Sequence, residues 1–218
     1  MKIIYEDAQV IILDKPAGLS VLPDGWEKDS DYVVKQLEEQ YGKIFIVHRL
    51  DKITSGVMVF ARDAETHRAL NTQFESHDAQ KTYHAILEGN PKWDEKVAKH
   101  PLRANVGKKH RTAVDDKNGK PSETRFRVIK RYPDWALVEA KPMTGRTHQI
   151  RVHAYALGHP LVEDILYGAR DRYGLPRPML HAQTLSFIHP ATNERVKFSA
   201  PRPDDFEEAM NLLKQMSV

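Results

Sequence analysis

Residues 44–61 read IFIVHRLDKITSGVMVFA, two apolar runs that enclose a charged, turn-prone segment. The runs predict two short buried strands, 44–47 and 57–61. Between them, Asp51 lies close to Arg49 and Lys52, and nearby positive charge favours the ionised form of a carboxylate. An ionised carboxylate suits a nucleophile or an electrostatic stabiliser better than a general acid. From the spacing alone, a structural salt bridge at a strand end remains the favoured alternative.

The rest of the chain alternates hairpins with isolated helices. The pattern predicts strands at 2–5, 10–13, 81–87, 123–130, 135–140, 179–188 and 195–199, and helices at about 31–41, 64–74, 147–157 and 204–216. The expected helix caps are Ser30 or Asp31, Asp63, and Thr147. Because this order is not a regular strand–helix alternation, we predict an α+β fold with a mixed, mainly antiparallel sheet. Residues 1–218 are expected to form one domain.

The composition excludes several classes of protein. The 218 residues include no cysteine, so disulfide scaffolds, cysteine-ligated metal sites and cysteine nucleophiles are ruled out. Glu6 and Asp7 interrupt the N-terminus before a signal core could form, and the apolar runs are too short to span a membrane. We therefore expect a soluble, cytoplasmic protein.

Positive charge is concentrated in one segment. Residues 99–131 contain eleven Lys or Arg and three acidic residues, which gives a net charge of +8, whereas the rest of the chain carries −5. We predict an extended basic loop or irregular hairpin arm over residues 92–118, which includes Lys108, Lys109 and Arg111. Such a distribution favours contact with a polyanion, although a solvated basic loop is the alternative.

Two further segments combine residue types that serve chemistry. In residues 144–153, TGRTHQIRVH, a glycine turn precedes a predicted helix whose first turn would present free N–H groups to an anion. Arg146 and Arg151 add charge there and Gln149 adds an amide; a capped helix with surface arginines is the alternative. In residues 81–85, KTYHA, Tyr83 can stack on a base or move a proton, but from this segment alone a core aromatic with its hydroxyl hydrogen-bonded is the favoured alternative.

Other catalytic signatures are absent from the sequence. We find no phosphate-binding P-loop, no dinucleotide fingerprint and no serine nucleophile elbow. His148 and His153 are five residues apart and do not share a helical face well. No metal site is predicted, because the histidines show no ligand spacing.

Taken together, these motifs resemble the RluA family of pseudouridine synthases. HRLD at 48–51, with Ser-Gly at 55–56, is similar to the family signature. KPAG at 15–18, KTYHA at 81–85, GRTHQIRVH at 145–153, GHPL at 158–161 and LHA at 180–182 are similar to the other family elements, in the same order. The matches cover about residues 10 to 200 and are specific as a set.

The resemblance implies a fold, a reaction and a catalytic set. The implied fold is a pseudouridine synthase fold with helices and loops around one cleft. The implied reaction converts uridine in RNA to its C5-linked isomer without cofactor or metal, and Asp51 matches the catalytic aspartate. Arg151 matches the arginine that pairs with this aspartate and Tyr83 the tyrosine that packs on the target uracil. Leu180 or Ile150 would lie beneath the base.

The resemblance also implies how RNA is bound. The target base must leave its stack, which is cheapest in a loop, so a stem-loop of ribosomal or transfer RNA is expected. Arg49 is a candidate to fill the gap in the stack. The remaining substrate-binding candidates are Arg146, His148, Gln149, Lys108, Lys109 and Arg111. The family pattern begins near the first residue, as in short members without an extra N-terminal RNA-binding domain. Nothing requires a protein partner or more than a monomer.

Two other functions remain open from the sequence. A catalytically silent RNA-binding protein would bind RNA in the same way, although it would not need Asp51, Tyr83 and Arg151 together. An aspartyl-phosphate enzyme would use Asp51 in its DKIT context, but it needs further carboxylates for Mg²⁺, and the next acid is Asp63.

Overall fold

The computed structural model describes residues 1–23 and 31–216. These residues divide into two compact units. The first unit contains Met1–Lys81 and Ala182–Arg202, and the second contains Thr82–His181 and Pro203–Val218. The prediction that residues 1–218 act as one catalytic domain is not decided by this division.

The first unit is built on antiparallel strands with two helices. Its strands are β1 (Lys2–Glu6), β2 (Val10–Lys15), β3 (Phe45–Ile46), β4 (Ser55–Ala61), β11 (Leu180–Ile188, from Ala182 onward in this unit) and β12 (Arg195–Ser199). Neighbouring strands follow the order β1–β2–β4–β11–β12, and β3 pairs with β4. The helices are α1 (Val33–Tyr41) and α2 (Ala64–Glu75). The strands β2 and β4 are buried almost throughout, which explains their unbroken apolar sequences.

The second unit combines four paired strands with a separate hairpin. Its strands are β5 (Gln80–Glu88, from Thr82 onward in this unit), β6 (Glu95–Lys99), β9 (Glu123–Arg131) and β10 (Trp135–Pro142), in the order β5–β10–β9–β6. The hairpin consists of β7 (Leu102–Val106) and β8 (Arg111–Val114). The helices are α3 (Gln149–Ala156), a short 3-10 helix (Ile165–Tyr167) and α4 (Asp204–Met216).

The predicted α+β fold with a mainly antiparallel sheet is confirmed. The antiparallel pairs of the first unit are β1–β2, β2–β4 and β11–β12. Those of the second unit are β5–β10, β9–β10 and β6–β9. The expected hairpin arm is found at β7–β8, whereas residues 95–99 of the same predicted loop form the sheet strand β6, paired with β9. No helix of the described residues is long and apolar enough to cross a membrane.

The expected helix caps are only partly correct. Asp63 caps α2, because its carboxylate accepts a hydrogen bond from the backbone N–H of Thr66 at 2.8 Å. The helix α1 instead begins after Tyr32 without a side-chain cap, so the prediction for Asp31 is wrong. Ser30 lies outside the described residues. The prediction for Thr147 is also wrong, since the N-cap of α3 is His148.

Candidate active site

Asp51 lies in the loop between β3 and β4, in the first unit. Its side chain is half-buried, while Leu50 beside it is buried and Arg49 is exposed. The loop closes through a hydrogen bond from the Thr54 N–H to the Asp51 carbonyl, at 2.9 Å. A carboxylate is therefore presented at a defined position without being sealed in the core.

A buried lysine holds the backbone beside Asp51. The Lys15 side chain is fully buried, and its ammonium group donates to the carbonyls of Pro16 at 2.8 Å, Leu19 at 2.7 Å and Lys52 at 3.1 Å. The Lys52 carbonyl also accepts from the Gly18 N–H, at 2.8 Å. Three acceptors satisfy the three donors of the ammonium group, which makes its burial tolerable. The KPAG element thus fixes the residue that follows Asp51.

Gly56, at the start of β4, has a backbone that another residue would not fit. Its φ is +118°, and a Cβ atom at this position would lie 2.2 Å from the Ala182 carbonyl oxygen. Both the left-handed backbone and the close approach of β11 require glycine. Gly56 and Ala182 are therefore complementary parts of one contact between β4 and β11.

His48 supports this loop as a neutral ring. Its Nε2 accepts a hydrogen bond from the Val59 N–H at 3.2 Å, and the ring stacks on Phe74 with centroids 4.8 Å apart. Burial, with a smaller contribution from the charge of Lys81, lowers the pKa of His48 to about 3. Burial also lowers the pKa of Lys81 itself, to about 8. At neutral pH His48 is thus uncharged and serves as an acceptor.

The second unit brings three predicted residues into one apolar cluster. Tyr83 lies on β5 opposite Ala140 and packs, partly buried, against the cluster that contains Ile150 and Leu180. Ile150 is 5% exposed and Leu180 is 4% exposed. An aromatic ring beside two aliphatic side chains forms an apolar surface of the kind on which a base can stack.

Arg151 is held by an acid that the sequence analysis missed. Its Nε and Nη2 donate to the two carboxylate oxygens of Asp164, both at 2.7 Å, and both side chains are buried. The guanidinium carbon lies 4.9 Å from the centre of the Tyr167 ring. Asp164 follows the apolar Leu161 and Val162 along the chain, but this pattern does not distinguish it from a surface acid. The expected pairing of Arg151 with Asp51 stays a prediction, since the two residues belong to different units.

His148 begins α3 in an unusual conformation. Its φ is +54°, in the left-handed region, and its Nδ1 forms a hydrogen bond of 2.8 Å with the hydroxyl of Tyr167. That hydroxyl also accepts from the Thr112 N–H on β8 at 3.0 Å. The tertiary bond to Tyr167 thus takes precedence over the local capping preference of Thr147. His148 and Arg151 therefore both contact Tyr167, one at its hydroxyl and the other at its ring.

Gln149 fixes the turn that carries Arg146. The Gln149 side chain is buried; its Oε1 accepts from the Arg146 N–H and the Thr144 hydroxyl, and its Nε2 donates to the Glu123 carbonyl and the Thr124 hydroxyl. Arg146 itself is exposed. These bonds assign Gln149 a positioning role, and its direct contact with RNA stays a prediction.

The three basic candidates lie on the hairpin arm. Lys108 and Lys109 belong to the turn between β7 and β8, and Arg111 begins β8; all three are exposed. Such side chains can follow a phosphate backbone, although RNA contact stays a prediction. Within residues 1–23 and 31–216, no group of three or more His, Asp or Glu side chains is arranged to hold a metal ion.

The chain is similar to known RNA pseudouridylate synthases. The family model described as RNA pseudouridylate synthase matches residues 9–156, more than half of the chain. The structure of human RNA pseudouridylate synthase domain containing 1 is similar, with a TM-score of 0.77 and 29% identity over 93% of this chain and 83% of that one. A second human structure, domain containing 4, shows the same fold with a TM-score of 0.80 at 23% identity, over 98% of this chain and 93% of that one.

The sequence is also similar to curated relatives, which show its family within this class. The ribosomal large subunit pseudouridine synthase C of Vibrio cholerae is 37% identical over 98% of this chain and 69% of its own length. The dual-specificity RNA pseudouridine synthase RluA of Escherichia coli is 36% identical over 91% of this chain and 92% of its own length. The chain therefore belongs to the RluA family of RNA pseudouridine synthases, which are intramolecular isomerases.

Proposed function

We propose that this enzyme isomerises specific uridines in stem-loops of ribosomal RNA, transfer RNA or both. One of the relatives is named for the large ribosomal subunit and another for dual specificity. The observation that carries the catalytic part of the proposal is the loop of Asp51, a half-buried carboxylate whose backbone is held by the buried Lys15. A nucleophile must be accessible and fixed in position, and this loop meets both needs.

The proposed reaction conserves every atom of the nucleotide. The Asp51 carboxylate forms a covalent bond to the target, at ribose C1′ or base C6, and the N1–C1′ glycosidic bond breaks. The uracil rotates and rejoins the ribose through C5. The proton on C5 is then lost and N1 gains one, and Asp51 is released unchanged. Neither an oxidant nor a cofactor is needed for this balance.

The other catalytic candidates keep the roles that the resemblance implies. We propose that Arg151 pairs with Asp51 in the reaction, and that Tyr83 packs on the uracil. Arg151 is rigid through its two bonds to Asp164, and a guanidinium that does not reorganise is an effective electrostatic partner. Ile150 and Leu180 supply the apolar surface beneath the base.

Binding is proposed to rest on exposed cations and on an unstacked target base. Lys108, Lys109 and Arg111 on the hairpin arm contact phosphates, and Arg146 and His148 bind the RNA near α3. Arg49, which is exposed, fills the gap left by the flipped nucleotide. We propose that the enzyme works in the cytoplasm as a monomer, without cofactor or protein partner.

The test measures the product and the substrate class together. Wild type and Asp51→Asn are incubated with ribosomal and transfer RNA transcripts, and the RNA is digested to nucleosides and separated by chromatography. We expect pseudouridine from wild type alone, with a preference for one class of RNA. Equal turnover by the Asp51→Asn variant would exclude Asp51 as the nucleophile. Binding without product from either enzyme would favour the silent RNA-binding protein instead.

A further inference from the structure

His153 closes the GRTHQIRVH element and has no part in the proposed reaction. Its side chain is fully buried on α3. The ring nitrogen Nδ1 lies 2.8 Å from the hydroxyl of Thr124, at the start of β9, and Nε2 lies 3.2 Å from both the His100 carbonyl and the Ser122 hydroxyl. A neutral imidazole has one donor and one acceptor, so these contacts alone allow two tautomers. The groups around the ring decide between them.

The Gln149 amide begins a series of hydrogen bonds that ends at His153. Its Oε1 accepts from the Arg146 backbone N–H at 3.1 Å, and its Nε2 donates to the Glu123 carbonyl at 2.9 Å. A backbone N–H only donates and a carbonyl only accepts, so both contacts require the same orientation of the amide. The second N–H of Nε2 therefore donates to the Thr124 hydroxyl, at 3.0 Å.

The Thr124 hydroxyl determines the tautomer of His153. Thr124 is buried and its oxygen already accepts from Gln149, so its own proton is donated to Nδ1 of His153. Nδ1 is therefore unprotonated, and the proton of the neutral ring lies on Nε2. There the His100 carbonyl accepts from Nε2 and also from the Ser122 hydroxyl, at 2.6 Å. Burial, with a smaller contribution from the charge of His100, lowers the pKa of His153, which keeps the ring neutral.

We propose that His153 is a positioning residue for the turn of Arg146, and that it acts as the neutral tautomer with its proton on Nε2. Its Nδ1 accepts the Thr124 proton, so that the hydroxyl oxygen can accept from Gln149. Without this acceptor the buried hydroxyl proton is unpaired or turns towards Gln149, where it competes with the hydrogen bonds of the amide. The Arg146 N–H then loses its fixed acceptor. The inference rests on the proposed function in one respect, that Arg146 binds RNA.

Two amide variants of His153 test the proposal without RNA, by the hydrogen-exchange rate of the Arg146 N–H. The side-chain oxygen of an asparagine can replace Nδ1 as the acceptor, whereas a glutamine reaches the place of Nε2 and leaves the Thr124 hydroxyl without an acceptor. His153→Gln should therefore raise the exchange rate about tenfold, and His153→Asn by less than about threefold. The control is the Asn118 N–H, which the Asp115 carboxylate holds at 2.9 Å in another turn of the same unit and whose rate should not change.

The same pair of variants distinguishes positioning from packing. Glutamine is closer to histidine in size and can keep the bond to the His100 carbonyl, so a purely structural role predicts that His153→Gln is the milder change. Equal increases in the exchange rate, or a larger increase with His153→Asn, would overturn the proposal. The wild-type protein gives a measurement that needs no variant, the nitrogen NMR spectrum of His153 at neutral pH. We expect an unprotonated Nδ1, and a proton on Nδ1 would also overturn the proposal.

Thr124 tests whether His153 acts through the hydroxyl. Thr124→Val keeps the shape of the side chain and removes the group that joins His153 to Gln149, so it should raise the exchange rate of the Arg146 N–H as much as His153→Gln does. Because both changes break the same series of hydrogen bonds, the double variant should exchange no faster than either single variant. Thr124→Ser, which keeps the hydroxyl, should restore most of the protection. Full additivity in the double variant would contradict the proposal.

The consequence for the reaction is measured separately. In pseudouridine formation, His153→Gln should raise KM for the RNA more than it lowers kcat, because the turn carries a proposed binding residue. In an Arg146→Met background this KM effect should disappear, and a KM effect of the same size there would overturn the link to RNA binding. Pseudouridine formation by the wild type tests the proposed function itself. The exchange rates do not depend on it, so the failure of one proposal is distinguishable from the failure of the other.

Discussion

The loop of Asp51 and the start of α3 hold their functional side chains in opposite ways. In the first unit, Lys15 holds the backbone next to Asp51, and the carboxylate itself is half-buried. In the second unit, Asp164 holds the guanidinium of Arg151 directly, by two hydrogen bonds in a buried environment. A nucleophile must be accessible to its target, whereas an electrostatic partner can be buried and works best when it does not reorganise. The difference matches the role proposed for each residue.

The largest expected effect comes from breaking the support of Arg151. Asp164→Asn removes the buried carboxylate that pairs with the Arg151 guanidinium, so we expect a loss of about 3–5 kcal/mol in the free energy of unfolding. Turnover should fall with it. Urea denaturation measures the first effect and single-turnover kinetics the second.

Asp205→Asn is the control, because it breaks a second Arg–Asp pair of the same unit. Arg177 donates to Asp205 at 2.7 Å, but the Asp205 side chain is 31% exposed. Solvent should reduce this cost to less than half of that for Asp164→Asn. Equal losses from the two variants would contradict the special role of the buried pair.

The second largest loss of stability is expected on replacing Lys15, in the first unit. Lys15→Met leaves the carbonyls of Pro16, Leu19 and Lys52 without their shared donor, so we expect a loss of about 3 kcal/mol in the free energy of unfolding. Because the loop of Asp51 loosens, kcat should fall more than KM rises. Lys35→Met, at an exposed position of α1, should change neither quantity. A KM effect alone would mean that Lys15 does not position the reacting group.

A smaller effect should appear as a pH dependence of stability. The pKa of His48 is about 3 in the folded protein, whereas the ordinary pKa of a histidine is 6.5, so the unfolded chain binds the extra proton between these values. The free energy of unfolding should therefore fall as pH decreases from about 6.5 to about 3. His48→Gln should make this decrease shallower in urea denaturation across that range. Parallel curves for the variant and wild type would show that His48 does not remain neutral.

The smallest effect on stability is expected at the hairpin arm. Replacing Lys108, Lys109 and Arg111 by Ala should change the free energy of unfolding by less than about 0.5 kcal/mol, because all three are exposed. RNA binding should nevertheless weaken, with a salt slope reduced by about 2 to 3. An unchanged slope in filter-binding measurements would mean that the arm does not contact RNA.

The sequence predicted correctly those strands and helix caps that depend on neighbouring residues along the chain. Apolar runs such as 10–13 and 57–61 located β2 and β4, and the carboxylate of Asp63 caps α2 as its position predicts. The cap at Thr147 failed because His148 bonds to Tyr167, nineteen residues further along the chain. No local pattern encodes such a contact.

The candidate site shows the same limit. Residue types and order made Asp51, Tyr83 and Arg151 candidates through the resemblance, but the contacts around them are tertiary. Asp164 is indistinguishable in sequence from a surface acid, and the buried ammonium of Lys15 looks like an ordinary lysine. Gln149 was expected to bind substrate, yet its amide is engaged by four protein groups. Only the fold shows which polar groups are already satisfied.

The most direct test of the central claim is tritium release from RNA labelled at uridine C5, because isomerisation expels that hydrogen. Wild type and Asp51→Asn are compared on the same ribosomal and transfer RNA transcripts, with EDTA present. We expect release by wild type alone, and at the same rate with and without EDTA. Release by Asp51→Asn at the wild-type rate, or no release by wild type from RNA that it binds, would contradict it.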